Sequence, residues 1–144
     1  MFPSHDTKVF GSAKVAGSVQ VFGNAVISGN ARVLQNAKVS GYSQVFDNSN
    51  VFENAQVCGD ARVFQNARVF SSAWVSGDAI VSKDPVVITG LSYVITKTDK
   101  HIQVGCKLHS LEEWREIIVT DRYKNYITNE YEYIEMNKIL EALC

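Results

Sequence analysis

The sequence predicts a mainly-β fold: a parallel β-helix of a little over four triangular coils, closed at its C-terminal end by a strand-and-helix cap. Three observations carry that prediction. Every sixth residue from Val9 to Val81 is a valine, Ile27 alone excepted, with no insertion across thirteen repeats. Two places before each stands a small or short residue, usually alanine, as at Ala25, Ala31, Ala55 and Ala61. Just ahead of that residue comes Asn or Asp in most repeats (Asn30, Asn48, Asp60, Asn66), often with a glycine before it, as at Gly29 and Gly59.

A period of six fits neither a helix at 3.6 residues per turn nor a strand alternating at two. It suits short strands joined by tight corners. Each β-branched valine favours extended backbone and points inward. The alanine position sits in the crowded corner, where only a small side chain fits. Gly, Asn and Asp are expected to supply the positive φ that a sharp turn needs. Three strands close one 18-residue coil, and successive coils pair along the axis at about 4.8 Å.

The repeat stops at residue 84, just before Pro85, which cannot donate to a strand ladder. We divide the chain there, into residues 1–84 (β-helix) and 85–144 (cap). "VVITGLSYVITKTDKHIQVGC" alternates in pieces and predicts two or three antiparallel strands. Ser110 opens a helix with Glu113 three residues on, a capping-box spacing, and Leu111, Trp114 and Ile118 line one face. A second helix is expected from about Asn129 to Leu143, with Tyr133, Met136, Leu140 and Leu143 at helical spacing. The last coil of a β-helix exposes unpaired backbone and apolar core, and this two-helix tail is suited to stopper it.

The stretch "VFGNAVISGNARVLQNAKVSG" resembles the hexapeptide-repeat proteins, and the resemblance covers roughly residues 7–83. It implies a left-handed parallel β-helix and a parallel homotrimer. "ITGLSYVITKTDKHIQVGCKLHSLEEW" is similar to the C-terminal region of a group of such proteins from phages, prophages and enteric bacteria. That group carries an acyltransferase label on fold alone.

Composition excludes several classes. Fourteen Lys and Arg nearly balance fifteen Asp and Glu, so no bulk nucleic-acid or anionic-membrane binding is expected. No apolar run reaches the ~18 residues of a membrane span, and the N-terminus does not read as a secretory signal. Three cysteines without a disulfide pattern point to a reducing cytoplasm, the host's if the chain is phage-encoded.

Residues 18 apart stack in columns on the outside. One face presents Phe10, Ser28, Phe46, Phe64 and Ser82. The next sets Lys14, Arg32, Asn50 and Arg68 beside Ala16, Leu34, Phe52 and Phe70. Stacked phenylalanines suggest covered surface, either a subunit interface or a seat for the C-terminal helices. The other reading is a ligand groove, with Lys14, Arg32 and Arg68 beside Phe52 and Phe70. Guanidinium plus aromatic surface is what a nucleotide or other planar anion would use.

Hexapeptide-repeat acyltransferases use a histidine as general base, usually on a coil or an inserted loop. None of His5, His101 and His109 lies in the coils, and no loop interrupts them. His101, Cys106 and His109 form the remaining constellation. Cys106 and His109 have C-x-x-H spacing, so this set is a candidate metal site, a candidate Cys106–His nucleophile, or a structural cluster. Three functions stay open. The first is a non-catalytic, cofactor-free oligomer that captures a small anionic, nucleotide-like ligand or a host partner and interferes with host defence. The second is an acyltransferase using acetyl-CoA, with His101 or His109 acting at a neighbouring subunit. The third is a structural or assembly component.

Overall fold

The computed structural model describes residues 6–120, 122, 124 and 130–144. Thirteen short strands wind a parallel β-solenoid with three flat sides. The first side holds β1 (Lys8–Val9), β4 (Val26–Ile27), β7 (Gln44–Val45), β10 (Arg62–Val63) and β13 (Ile80–Val81). The second holds β2 (Lys14–Gly17), β5 (Arg32–Gln35), β8 (Asn50–Val51) and β11 (Arg68–Val69). The third holds β3 (Gln20–Val21), β6 (Lys38–Val39), β9 (Gln56–Val57) and β12 (Trp74–Val75). The register is 18 residues throughout, as in Val33↔Val51 and Val51↔Val69, so the columns expected from the repeat are the columns observed.

Each coil donates to the next: Arg62 N–H bonds Ala79 C=O at 3.0 Å and Phe64 N–H bonds Val81 C=O at 3.0 Å. The valines and alanines from Val19 to Val81 form one dry core. Two serines replace alanine inside it, and both hydroxyls are satisfied. Ser43 Oγ donates to Ser40 C=O and Ser49 Oγ to Phe46 C=O, each at 2.7 Å, which avoids the cost of a bare buried hydroxyl.

The corners divide their labour differently from the sequence expectation. From Val9 to Val75 positive φ falls on the second residue after each core valine or isoleucine, a glycine at some corners but Gln35, Asp47, Glu53, Gln65 and Ser71 at others. The Asn that follows does not take it. Asn instead forms side-chain ladders between coils, Asn30 to Asn48 at 3.1 Å and Asn48 to Asn66 at 3.5 Å. Three of the non-glycine corners, Gln35, Asp47 and Glu53, gain a compensating bond. Asp47 Oδ2 accepts from Gln65 N–H at 3.0 Å and Glu53 Oε2 from Ser71 N–H at 2.7 Å, each one coil on. A polar side chain that closes a bond offsets the left-handed strain that an apolar one would leave standing.

The cap also departs from expectation. Four antiparallel strands follow the coils: β14 (Val86–Ile88), β15 (Ile95–Lys97), β16 (His101–Val104) and β17 (Lys107–Ser110). The fourth was hidden because "KLHS" carries one strongly apolar residue, too few to display alternation. This sheet, rather than the helices, closes the solenoid. On each side of the last coil a side chain takes a free N–H: Asp99 from Ser82, Asp84 from Arg68 at 2.8 Å, and Thr96 from Trp74 at 3.1 Å. Asp99 also accepts the Ser82 hydroxyl at 2.5 Å. Replacing it leaves two donors at a part-buried site. Asp99→Ala is expected to cost about 1–3 kcal/mol in chemical denaturation, and Asp99→Asn, which keeps an acceptor oxygen, less.

Period two then sorts the sheet's faces. Val87, Thr96, Gln103 and Leu108 turn toward the solenoid. Ile88, Ile95, Ile102 and Val104 turn away and form a second core with Trp114 and Ile118 of α1 (Leu111–Val119) and Met136 and Leu140 of α2 (Glu130–Leu143). The capping box at Ser110 and Glu113 is present. The expected start of the second helix, Asn129, lies outside the described residues.

Candidate functional site

The second flat side is the candidate site. Lys14 pairs in register with Arg32, Arg32 with Asn50, and Asn50 with Arg68, so one column carries three cations. Beside it the repeat stacks Phe52 on Phe70, with centroids 5.4 Å apart and rings 13° from parallel. Arg68 opens β11 and Phe70 directly follows that strand, two residues on and on the same outer side. The guanidinium carbon of Arg68 therefore lies 5.7 Å from the Phe70 ring centre and 6.0 Å from that of Phe52. Lys14, Arg32 and Arg68 are exposed, and Leu34, Phe52 and Phe70 are half-buried. The adjoining side carries a second stack, Phe46 on Phe64, at 5.2 Å and 5°. The structure thus brings Arg68, Phe52 and Phe70 into one contact. Arg32 and Lys14 extend the same column without joining it.

The electrostatics of the solenoid are segregated. The charged residues next to its core valines are Lys8, Lys14, Arg32, Lys38, Arg62 and Arg68, all cations. Carboxylates occupy corners, where Asp47 and Glu53 are bonded to backbone N–H groups. Among the described residues the ion pairs are Arg122–Glu116 and Lys138–Glu135, with His–carboxylate contacts at His101–Asp78 and His109–Glu113, and none uses a flat-side Lys or Arg. A net charge near zero therefore conceals sides that carry positive charge only. Overall charge could not reveal this, but the column reading could.

The tail constellation separates. In the β16–β17 hairpin His101 pairs with Ser110 and Ile102 with His109, so the two histidines face opposite sides of the sheet. Cys106 sits exposed in the connecting turn. Among the described residues no group of three His, Cys, Asp or Glu is placed to hold a metal ion, and the His101, Cys106 and His109 set is not one. Spacing along a chain cannot distinguish the two faces of a hairpin. His101 instead reaches back to the last coil, its Nε2 3.7 Å from Asp78 Oδ1, while its buried Nδ1 has no hydrogen-bond partner. His109 lies edge-on to Trp114 at 5.2 Å and 3.7 Å from Glu113. The Ser110 N–H bond, aided by the Ser110 hydroxyl, holds the Glu113 carboxyl below its ordinary range. Nearby, a cleft of about 320 Å³ is lined by Asp99, Lys100, Ser110, Leu111 and Glu112.

Asp84 and Asp78 were missed in the sequence. Asp84 lies beyond the repeat, and Asp78 is one corner acid among several, with nothing to mark its contact to His101.

Fold and repeat together define a β-solenoid repeat protein. Two stretches, residues 19–35 and 55–69, match the family model described as YdcK β-solenoid repeat. No curated protein and no solved structure matches the chain. Among the described residues no helix is long and apolar enough to cross a membrane.

Proposed function

We propose that the protein is a non-catalytic binding protein that captures a small, planar, anionic ligand of the nucleotide kind on the second flat side of its solenoid. The observation that carries this is Arg68 lying over the stacked rings of Phe52 and Phe70, with Arg32 and Lys14 in line. A guanidinium on an aromatic stack offers a planar base both dispersion and a cationic edge. The surrounding positive side draws the phosphate. On this reading the protein is a cytoplasmic homotrimer of phage-type hexapeptide-repeat kin, it needs no cofactor, and capture of a nucleotide signal would serve interference with host defence. The Phe46–Phe64 stack is then left for the subunit contact.

Calorimetric titration with adenine and cyclic nucleotides tests the reading. Arg68→Ala is expected to weaken binding roughly tenfold, the loss of a cation–π and charge contact worth about 1–2 kcal/mol. Absence of heat with every nucleotide would remove the proposal. Acetyl transfer from acetyl-CoA is the weaker reading. Of the two ring nitrogens of His101, one is buried without a partner and the other is turned to Asp78.

A further inference from the structure

We infer that the ligand of this side is a nucleoside di- or triphosphate bound along the solenoid axis, its ring at Phe52, Phe70 and Arg68 and its phosphate chain running toward Arg32 and Lys14. The inference rests on the nucleotide reading above and adds an orientation and a phosphate number to it. The column is polar along its length. Its apolar side chains grow from Ala16 through Leu34 to Phe52 and Phe70, so the flat aromatic surface lies at the C-terminal rungs and open space at the N-terminal ones. The charge runs the other way. Lys14 and Arg32 are register partners on adjacent rungs, about 4.8 Å apart in backbone, and neither has an ion-pair partner among the described residues.

At the opposite end Asp84 Oδ1 accepts the Arg68 N–H at 2.8 Å, which fixes a carboxylate beside the aromatic rungs. A phosphate there would meet like charge, whereas the same phosphate two or three rungs away meets only cations. The rung between is neutral. Asn50 donates its side-chain amide to Asn48 C=O at 3.1 Å, and it faces the part of the ligand that carries no charge, the ribose. Arg32 lies two rungs from Arg68 and Lys14 three, about 10 and 14 Å along the axis at ordinary strand spacing. A phosphoryl group next to the ribose reaches Arg32 first, and each further phosphoryl group brings the chain closer to Lys14, one rung on.

The test is a titration of the full chain with adenosine mono-, di- and triphosphate and with inorganic tripolyphosphate, at one low ionic strength. Affinity is expected to climb roughly fivefold to tenfold with each added phosphoryl group. Lys14→Ala should lower triphosphate affinity by about that factor and monophosphate affinity by less than twofold. Phe52→Ala should lower all three nucleotides together. An affinity independent of phosphate number overturns this inference and leaves the nucleotide reading standing. So does a Lys14→Ala variant that weakens all three equally. Tripolyphosphate binding as tightly as the triphosphate, or no nucleotide binding at all, overturns both.

Discussion

Gly59→Val lowers the stability of the solenoid by about 3 kcal/mol or more, read as a fall in the midpoint of urea unfolding. Gly59 has a φ of +68°, and a Cβ built there stands 2.8 Å from the backbone N and 2.9 Å from the backbone O of Gly77, one coil on. Left-handed backbone alone costs an L-residue roughly 1–2 kcal/mol, and a β-branched one more. The contact cannot be relieved cheaply, because the ladder ties both coils: Tyr42 N–H bonds Gly59 C=O and Asp60 N–H bonds Gly77 C=O, at 2.9 and 2.7 Å. The fold supplies its own control. Asp47, Glu53 and Gln65 occupy the equivalent place in other columns, with φ near +60°. Asp47 and Glu53, like Gln35, cap the N–H one coil on, which shows that the coil spacing accepts a Cβ when the side chain makes that bond. Gly59→Asp should therefore lose only about 1 kcal/mol. Equal losses for Val and Asp would mean that the steric contact dominates and the capping bond contributes nothing.

Trp114→Ala is expected to cost about 3–5 kcal/mol and to act on the cap first. Trp114 is 3% exposed in the second core, and its indole N–H donates to Ile102 C=O at 2.7 Å, so truncation opens a cavity and strips a buried carbonyl. Trp114→Phe retains most of the packing and should lose about 1–2 kcal/mol. The readout is built in, because the remaining tryptophan, Trp74, lies on the solenoid with its indole N–H 3.4 Å from Cys58 Sγ. In Trp114→Ala the helical circular dichroism should fade at lower denaturant than the Trp74 fluorescence transition. A single coincident transition would mean that cap and solenoid unfold as one unit, which the bonds of Asp99, Asp84 and Thr96 across their junction would then explain.

How much was legible follows from range. The coils repeat a local rule thirteen times, so a valine, an alanine and a corner residue could be placed from their neighbours alone, and the columns followed by counting eighteen. Ser110 with Glu113, and Trp114 with Ile118, were legible for the same reason, since both are contacts within one or two helical turns. The glycine corners take positive φ as the sequence predicts, and Asp47 does too, but the Asn positions do not. Asn favours that region by propensity, but here its amide is used between coils, eighteen residues away. The His101, Cys106 and His109 set looked compact because it spans only nine residues, and a hairpin placed its histidines on opposite faces.

By itself the sequence determined the repeat, the coil count, the inward valines and the column that aligns Lys14, Arg32 and Arg68 beside Phe52 and Phe70. All of these follow from a period that the chain states directly. Only the tertiary structure decided that a four-stranded sheet, with the helices behind it, closes the last coil. It also placed Asp84 at the aromatic end of the cationic column and joined His101 to Asp78. Those contacts join residues outside the repeat to residues within it, and no spacing rule reaches across that boundary. Their partners are chosen by which N–H groups the final coil leaves open and by which face of the sheet each side chain occupies.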